Sequence, residues 1–184
     1  MSEIDRDSWN RSLRALFGEA MFASTGARRH EDWRLDALDI MRLRTRDPRG
    51  WPVMTLSPGG SSYREVDGPF LLVTAAHFDH VLPVSRRGAT EVLATLQGEW
   101  FRPDDIPDFA ERKEELLSHA QRILSRFGEN AACFTNAAAV KGDPDADMLN
   151  REGIHEGLTE YTADCGVIAV SDTEVGVFWA FWED

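Results

Sequence analysis

The sequence predicts an α+β fold, with a mainly antiparallel sheet, an N-terminal helix and one long helix packed on that sheet. Three observations carry this prediction: an apolar stripe of helical period near the amino end, a longer one in the middle, and two apolar runs joined by a short turn near the carboxyl end. Strands and helices do not alternate regularly, which favours α+β over a parallel α/β fold. The length of 184 residues suits a single domain spanning residues 1–184.

The N-terminal helix is predicted from apolar residues that recur at i, i+4, i+7, i+8, i+11 and i+12. They are Trp9, Leu13, Leu16, Phe17, Ala20 and Met21. Residues at this spacing share one face of a helix. Asp7 or Ser8 is the predicted N-cap and Gly26 the predicted end, because short polar side chains cap helices and glycine terminates them.

A hairpin is predicted next, around the turn sequence Asp47-Pro48-Arg49-Gly50. Leu38, Ile40 and Leu43 precede this turn, and Trp51, Val53 and Met54 follow it. Asp-Pro-x-Gly is typical of a type I turn, and the flanking runs are β-prone. A loop at residues 57–62 then leads to the apolar run 70–74, which we interpret as a central strand.

The second half of the chain gives clearer signals. Residues 89–97 predict a short helix, and residues 108–127 predict the longest helix, which ends at Gly128. Residues 131–140 are compatible with a strand of small residues or with a buried helix, and 141–157 indicate a long loop. Residues 167–170 and 175–182 predict a final hairpin whose last strand is apolar on both faces.

Composition predicts a soluble, cytoplasmic protein with no membrane partner. The sequence has no apolar run of the ~18 residues that a bilayer requires, and its first residues are charged where an export signal would be apolar. Cys133 and Cys165 lie within apolar segments and are predicted to be buried, reduced thiols. No cofactor is predicted.

Negative charge is concentrated near the carboxyl end. The chain has a formal net charge of −12; residues 1–50 hold ten arginines against nine acids, whereas residues 142–184 hold one arginine against eleven acids. Phosphate recognition needs clustered Lys and Arg, so this distribution argues against a nucleic-acid partner. It instead predicts a cationic partner for the C-terminal surface.

A candidate metal site is formed by His77, Asp79 and His80. Two imidazoles and a carboxylate within four residues can bind a divalent metal if the backbone turns so that they converge. The segment His77-Phe78-Asp79-His80 resembles part of the metallo-β-lactamase motif His-x-His-x-Asp-His. Ala75 occupies the first histidine position of that motif, so the resemblance extends only to the other three ligands and implies zinc bound after a strand.

Complete catalytic motifs are missing. Thr159 stands where His155-Glu156 would need a second histidine for a zinc-protease helix, and the sequence has no phosphate-binding loop, dinucleotide fingerprint or nucleophile elbow. Cys165 with His155 is conceivable as nucleophile and base, but nothing indicates a reactive thiol. The sequence therefore favours a binding protein and leaves enzymatic activity undecided.

The leading hypothesis is an acidic immunity or antitoxin-like inhibitor that neutralises a basic protein, such as a nuclease or deaminase toxin. Aromatic residues supply contact energy and carboxylates supply electrostatic steering in such interfaces. The predicted partner-binding residues are Glu152, Glu156, Glu160, Tyr161, Asp164, Asp172, Glu174 and Trp182. The alternatives are a small metal-dependent hydrolase that uses His77, Asp79 and His80 with a distant carboxylate, and a regulatory or ligand-binding domain without enzymatic activity. The identity of the partner and the oligomeric state stay open.

Overall fold

The computed structural model describes residues 4–18, 21–55, 68–150 and 155–183, and these contain a five-stranded antiparallel sheet. The strand order is β1-β5-β4-β3-β2, with β1 Met21–Ala27, β2 Leu82–Val84, β3 Ala132–Thr135, β4 Ala163–Val170 and β5 Glu174–Trp182. The helices are α1 Arg6–Leu16, α2 Trp33–Met41, α3 Arg86–Thr95 and α4 Phe109–Ser125. The α+β prediction, with an N-terminal helix and one long helix on the sheet, is confirmed.

The elements with the strongest periodicity were predicted correctly. α3 and α4 lie where the sequence placed helices, and Gly128 follows α4 with a φ of 81°, a left-handed value that favours glycine. β4 and β5 form the predicted final hairpin, in which Val170 pairs with Val175. The ambiguous segment 131–140 is a strand, β3, followed by a short 3₁₀ turn at Ala138–Val140.

The predicted N-terminal helix is too long. α1 ends at Leu16, and Phe17 has extended backbone angles, so the chain leaves the helix there. Its cap is Asp5, whose carboxylate accepts a hydrogen bond from the backbone N–H of Ser8, rather than Asp7 or Ser8. Residues 21–27, expected in part as helix, form β1 because they pair along their whole length with β5.

The predicted hairpin at residues 38–54 is also wrong, although its turn exists. Leu38 and Ile40 lie within α2, which begins at a cap where Asp32 accepts from the N–H of Arg34. Gly50 donates to the carbonyl of Asp47 as a turn requires. Within residues 51–55, the described part of the chain after this turn, an isolated bridge between Met54 and Ala23 joins the backbone to the sheet.

The apolar run 70–74 is a turn rather than the predicted central strand. The N–H of Val73 donates to the carbonyl of Phe70 at 3.0 Å, and neither residue pairs with a strand. Phe70 and Val73 are buried, whereas Leu71 and Leu72 between them are 51% and 58% exposed. The run is apolar enough for a buried strand, but only two of its five residues are buried. The predicted loop at 57–62 lies outside the described residues.

The two faces of the sheet are covered differently. On the helical face, α1, α3 and α4 pack on inward side chains that include Cys165, Val167 and Phe178. On the loop face, α2 and the irregular segments 68–81 and 155–162 pack on Ile168, Trp179 and other residues of the opposite alternation. The last strand is apolar on both faces, as the sequence predicted, and both faces are buried.

Both cysteines lie on the helical face as buried, free thiols, as predicted. Burial raises the pKa of Cys133 to about 11, which keeps its thiol protonated and unreactive near neutral pH. Within the ranges that the structure describes, no helix combines the length and apolar character that crossing a membrane demands.

Candidate partner-binding site

A groove of about 490 Å³ lies on the loop face, between residues 68–77 and residues 157–161. Its walls include Leu71, Leu72, His77, Leu158, Glu160 and Tyr161. The groove therefore joins a segment that the sequence singled out for histidines to one that it singled out for carboxylates. These segments are about eighty residues apart in the chain and meet only in the folded protein.

The leucine wall is held in place from beneath. The side chain of Phe70 packs edge-on against Trp179 and Phe181, with ring centroids 6.4 and 5.3 Å apart. Nη2 of Arg42 donates to the carbonyl oxygen of Val73 at 2.8 Å. With both ends of the turn anchored in this way, the side chains of Leu71 and Leu72 point outward into solvent.

The opposite wall is held by the carboxylate of Asp164, which is 0% exposed. Its Oδ1 accepts from the backbone N–H of Leu158 at 3.0 Å and from the indole N–H of Trp179 at 2.8 Å. Its Oδ2 accepts from both the backbone N–H and the hydroxyl of Thr159, at 2.8 and 2.7 Å. Residues 158 and 159 have no regular secondary structure, so this carboxylate replaces the backbone partners that a strand or helix would provide.

Asn136 extends the same network to Glu156. Its side-chain amide donates to the carbonyl oxygens of Glu156 and Asp164, at 3.0 and 2.9 Å. Its side-chain oxygen accepts from the N–H of Gly166, and its backbone oxygen accepts from the N–H of Glu156. Asn136 is 1% exposed, so the backbone on which Glu156 stands is tied to the interior.

A smaller cavity, of about 80 Å³, lies on the other side of this loop. It is lined by Asp79, His80, Asn136, Lys141 and Glu156 among others. Nδ1 of His80 pairs with the carboxylate of Glu156, and both side chains are about half exposed, at 57% and 44%. This pair joins the two segments at the surface, where an ion pair adds little stability.

The three predicted metal ligands do not converge. Nδ1 of His77 accepts from the N–H of Thr74 at 3.1 Å, Asp79 faces Arg34 at 3.6 Å, and His80 pairs with Glu156. The motif lies on a 3₁₀ helix, Ala75–His80, which sends these side chains to different neighbours. Within the described ranges, no three His, Cys, Asp or Glu side chains are grouped to hold a metal ion. The arrangement of the described residues therefore gives no support to the predicted metal site at His77, Asp79 and His80, which stays a prediction.

Two of the predicted partner-binding carboxylates lie inside the protein. Asp164 is fully buried, and Glu174 is 6% exposed, so neither contributes to a surface. The carboxylate of Glu174 accepts hydrogen bonds from Nε of Arg126 and Nε of Arg49, each at 2.8 Å. Both acids are therefore structural, and sequence alone did not reveal that their charges are buried.

The remaining described members of the predicted set are spread over four places. Glu160 and Tyr161 line the groove, and Glu156 lines the adjacent cavity. Asp172 is exposed in the hairpin turn at the far end of β4, roughly 25 Å away for a strand of this length. Trp182 is half-buried against the helical-face core, and Glu152 lies outside the described residues.

The groove offers both apolar contact and negative charge. Both cysteines are on the helical face, away from it. Tyr161 packs on Phe181 at a centroid distance of 4.8 Å, which leaves a rigid aromatic surface beside the exposed leucines. Sequence reasoning missed the leucines, because an unbroken apolar run is typical of buried structure and carries no sign that half of it is exposed.

No protein-family model, curated protein or solved structure matches this chain at a significant level.

Proposed function

We propose that this chain is a binding protein that neutralises a basic protein partner, in the manner of an immunity or antitoxin protein, and that the groove is its contact surface. The observation that carries the proposal is the position of Leu71 and Leu72, each more than half exposed, directly across from Glu160 and Tyr161. When a partner covers large apolar side chains in an open groove, their removal from water lowers the free energy of the complex.

Charge argues that the partner is basic. The chain has a formal net charge of −12, and Glu156 and Glu160 stand at the groove and the adjacent cavity. Arg34 pairs with Asp79 and His80 pairs with Glu156, so the cations of the partner compete with these two side chains for the carboxylates. Long-range attraction between a negative protein and a positive one speeds association. Leu71, Leu72 and Tyr161, once covered by the partner, slow dissociation.

The test begins with recovery of the partner from the native cells and purification of that protein for binding measurements. Glu160→Lys and Asp172→Lys make the same change in net charge, but only Glu160 lines the groove. We expect Glu160→Lys to slow association several-fold at low salt and Asp172→Lys to have a much smaller effect. Equal effects of the two variants, or an acidic partner, would remove the proposal.

The volume of the groove favours one alternative, a ligand-binding domain without enzymatic activity. A space of about 490 Å³ lies within the range of small-molecule sites. Thermal stability, measured with the basic partner and with a metabolite mixture, distinguishes the two functions. A protein inhibitor is stabilised by its basic partner and by no metabolite mixture, whereas a ligand-binding domain gives the opposite result.

A further inference from the structure

The carboxylate of Asp164 is unusual because it is fully buried and because the groups that contact it from the described residues are neutral. Every donor that contacts it from the described part of the chain is a backbone N–H, an amide, a hydroxyl or an indole. A buried carboxylate is costly unless several donors satisfy it. The donors, in turn, would be buried without an acceptor if this carboxylate were absent.

The donors come from three separate parts of the fold. Leu158 and Thr159 belong to the groove wall, Trp179 lies in the middle of β5, and Asn136 follows β3. The wall also wraps closely around the carboxylate, since a Cβ added at Gly157 would lie 3.2 Å from Oδ2. Asp164 thus fixes the distance between the wall and the sheet.

The residues on either side of these donors are the ones that face a partner. Leu158 is buried at 3% exposure, whereas Glu156, two residues before it, and Glu160, two residues after it, are exposed. Asn136 connects the same carboxylate to the backbone of Glu156. One buried group therefore orients the acidic side chains at both the groove and the small cavity.

We propose that Asp164 is the positioning residue of this recognition surface: it holds residues 156–161 in the conformation that a basic partner binds. This inference rests on the proposed function of the groove. A preorganised loop loses less conformational entropy on binding, so loosening it weakens affinity without removing any contact residue.

Asp164→Asn tests this role because it keeps the size of the side chain. The amide retains one oxygen acceptor, so in either orientation its N–H₂ group faces the backbone N–H of Leu158 or that of Thr159 and cannot accept from it. We expect hydrogen exchange at the amides of Leu158 and Thr159 to rise at least about tenfold. We also expect the affinity for a short synthetic peptide of alternating lysine and leucine to fall about tenfold or more. Binding of this peptide is followed by NMR at Leu71 and Tyr161.

Glu174→Gln is the matched control, since Glu174 is also a buried, hydrogen-bonded carboxylate at one end of the same two strands. It is expected to lower thermal stability without loosening residues 156–161 or weakening the peptide. Thr159→Val removes the hydroxyl that donates to Asp164 and is expected to raise hydrogen exchange at the amide of Leu158 in the same direction as Asp164→Asn, whereas Thr159→Ser keeps the hydroxyl and the wild-type exchange rate. These measurements are made well below the melting temperature of every variant.

The inference is overturned if Asp164→Asn leaves both exchange and affinity unchanged, or if Glu174→Gln loosens the same loop to the same extent. A wild-type protein that does not bind the peptide, while the exchange pattern is as expected, counts against the proposed function alone. In that case the hold of Asp164 on the loop is upheld, and its link to recognition is lost.

Discussion

The helical face and the loop face of the sheet bury similar apolar strands but solve the problem of covering them in different ways. Helices satisfy their own backbone hydrogen bonds, so α1, α3 and α4 need only an apolar stripe to pack. The irregular segments of the loop face need side-chain partners such as Asp164 and Asn136 for their backbone groups. Because these segments are not limited to helix or strand geometry, their surface can be concave. The groove and the exposed Leu71 and Leu72 occur on this side.

The largest effect is expected at Gly166, where the loop face is tightly packed beneath its irregular surface. A Cβ added there would lie 2.2 Å from the carbonyl oxygen of Phe178 and 2.3 Å from the indole ring of Trp179. Gly166→Ala should lower the free energy of unfolding by more than about 3 kcal/mol in urea denaturation. Gly18→Ala is the control, because nothing lies within 4 Å of its added Cβ. A stable Gly166→Ala protein would mean that the central strands separate more easily than the structure indicates.

An intermediate and pH-dependent effect is expected at Asp47. Its carboxylate pairs with Arg126, which also pairs with Glu174. Burial raises the pKa of Asp47, but hydrogen bonds from Arg126, Thr25 and the Trp51 N–H outweigh it and hold the pKa below its ordinary value. The stabilisation is therefore present above the unfolded pKa of about 3.9 and is lost as pH falls through the lower folded value. Asp47→Asn should cost about 2 kcal/mol at pH 7 and progressively less below about pH 4.

Urea denaturation of both proteins at pH 7 and pH 3 measures this difference. Nη1 of Arg126 lies 2.7 Å from Asp47, its side chain is fully buried, and its guanidinium stands over the rings of Trp9 and Trp51. Loss of the carboxylate leaves that cation with Glu174 as its acidic neighbour. A cost that stays constant from pH 7 to pH 3 would contradict the role of the Asp47 charge.

The smallest effect on stability is expected at the exposed leucines of the groove. Leu71→Ser and Leu72→Ser should change the free energy of unfolding by no more than about 0.5 kcal/mol, because water already reaches more than half of each side chain. Phe70→Ala, at the buried neighbour, should cost about 3 kcal/mol or more by the same assay. If the serine variants were as unstable as Phe70→Ala, the groove would be closed in solution and the contrast between the faces would shrink.

The sequence predicted the helical face better than the loop face, for a physical reason. The stripe of α4 and the alternation of β5 are local patterns that packing merely preserves. β1 was missed because Met21 continues the helical spacing of α1, and only pairing with β5, far along the chain, makes it a strand. α2 was missed because Leu38 and Ile40 alternate, while Ala37 and Met41 complete a helical stripe with them.

The candidate site was predicted only in part. Charge density pointed to Glu156, Glu160 and Tyr161, which the structure brings to the groove and its neighbouring cavity. The same criterion included Asp164 and Glu174, because composition carries no information about which acids have buried partners. How residues 68–77 meet residues 157–161 depends on tertiary structure, so neither segment alone could reveal a groove.

The outer strands of the sheet restrict how another molecule can join it. β2 has three residues with Pro83 at its centre, whose nitrogen has no hydrogen to donate, so it is a poor template for an added strand. At the opposite border, Met54 already exchanges both of its backbone hydrogen bonds with Ala23, at 2.8 and 2.7 Å. Fibril-like stacking of copies through their backbones is therefore disfavoured at both borders, even though β5 is among the most apolar segments of the chain.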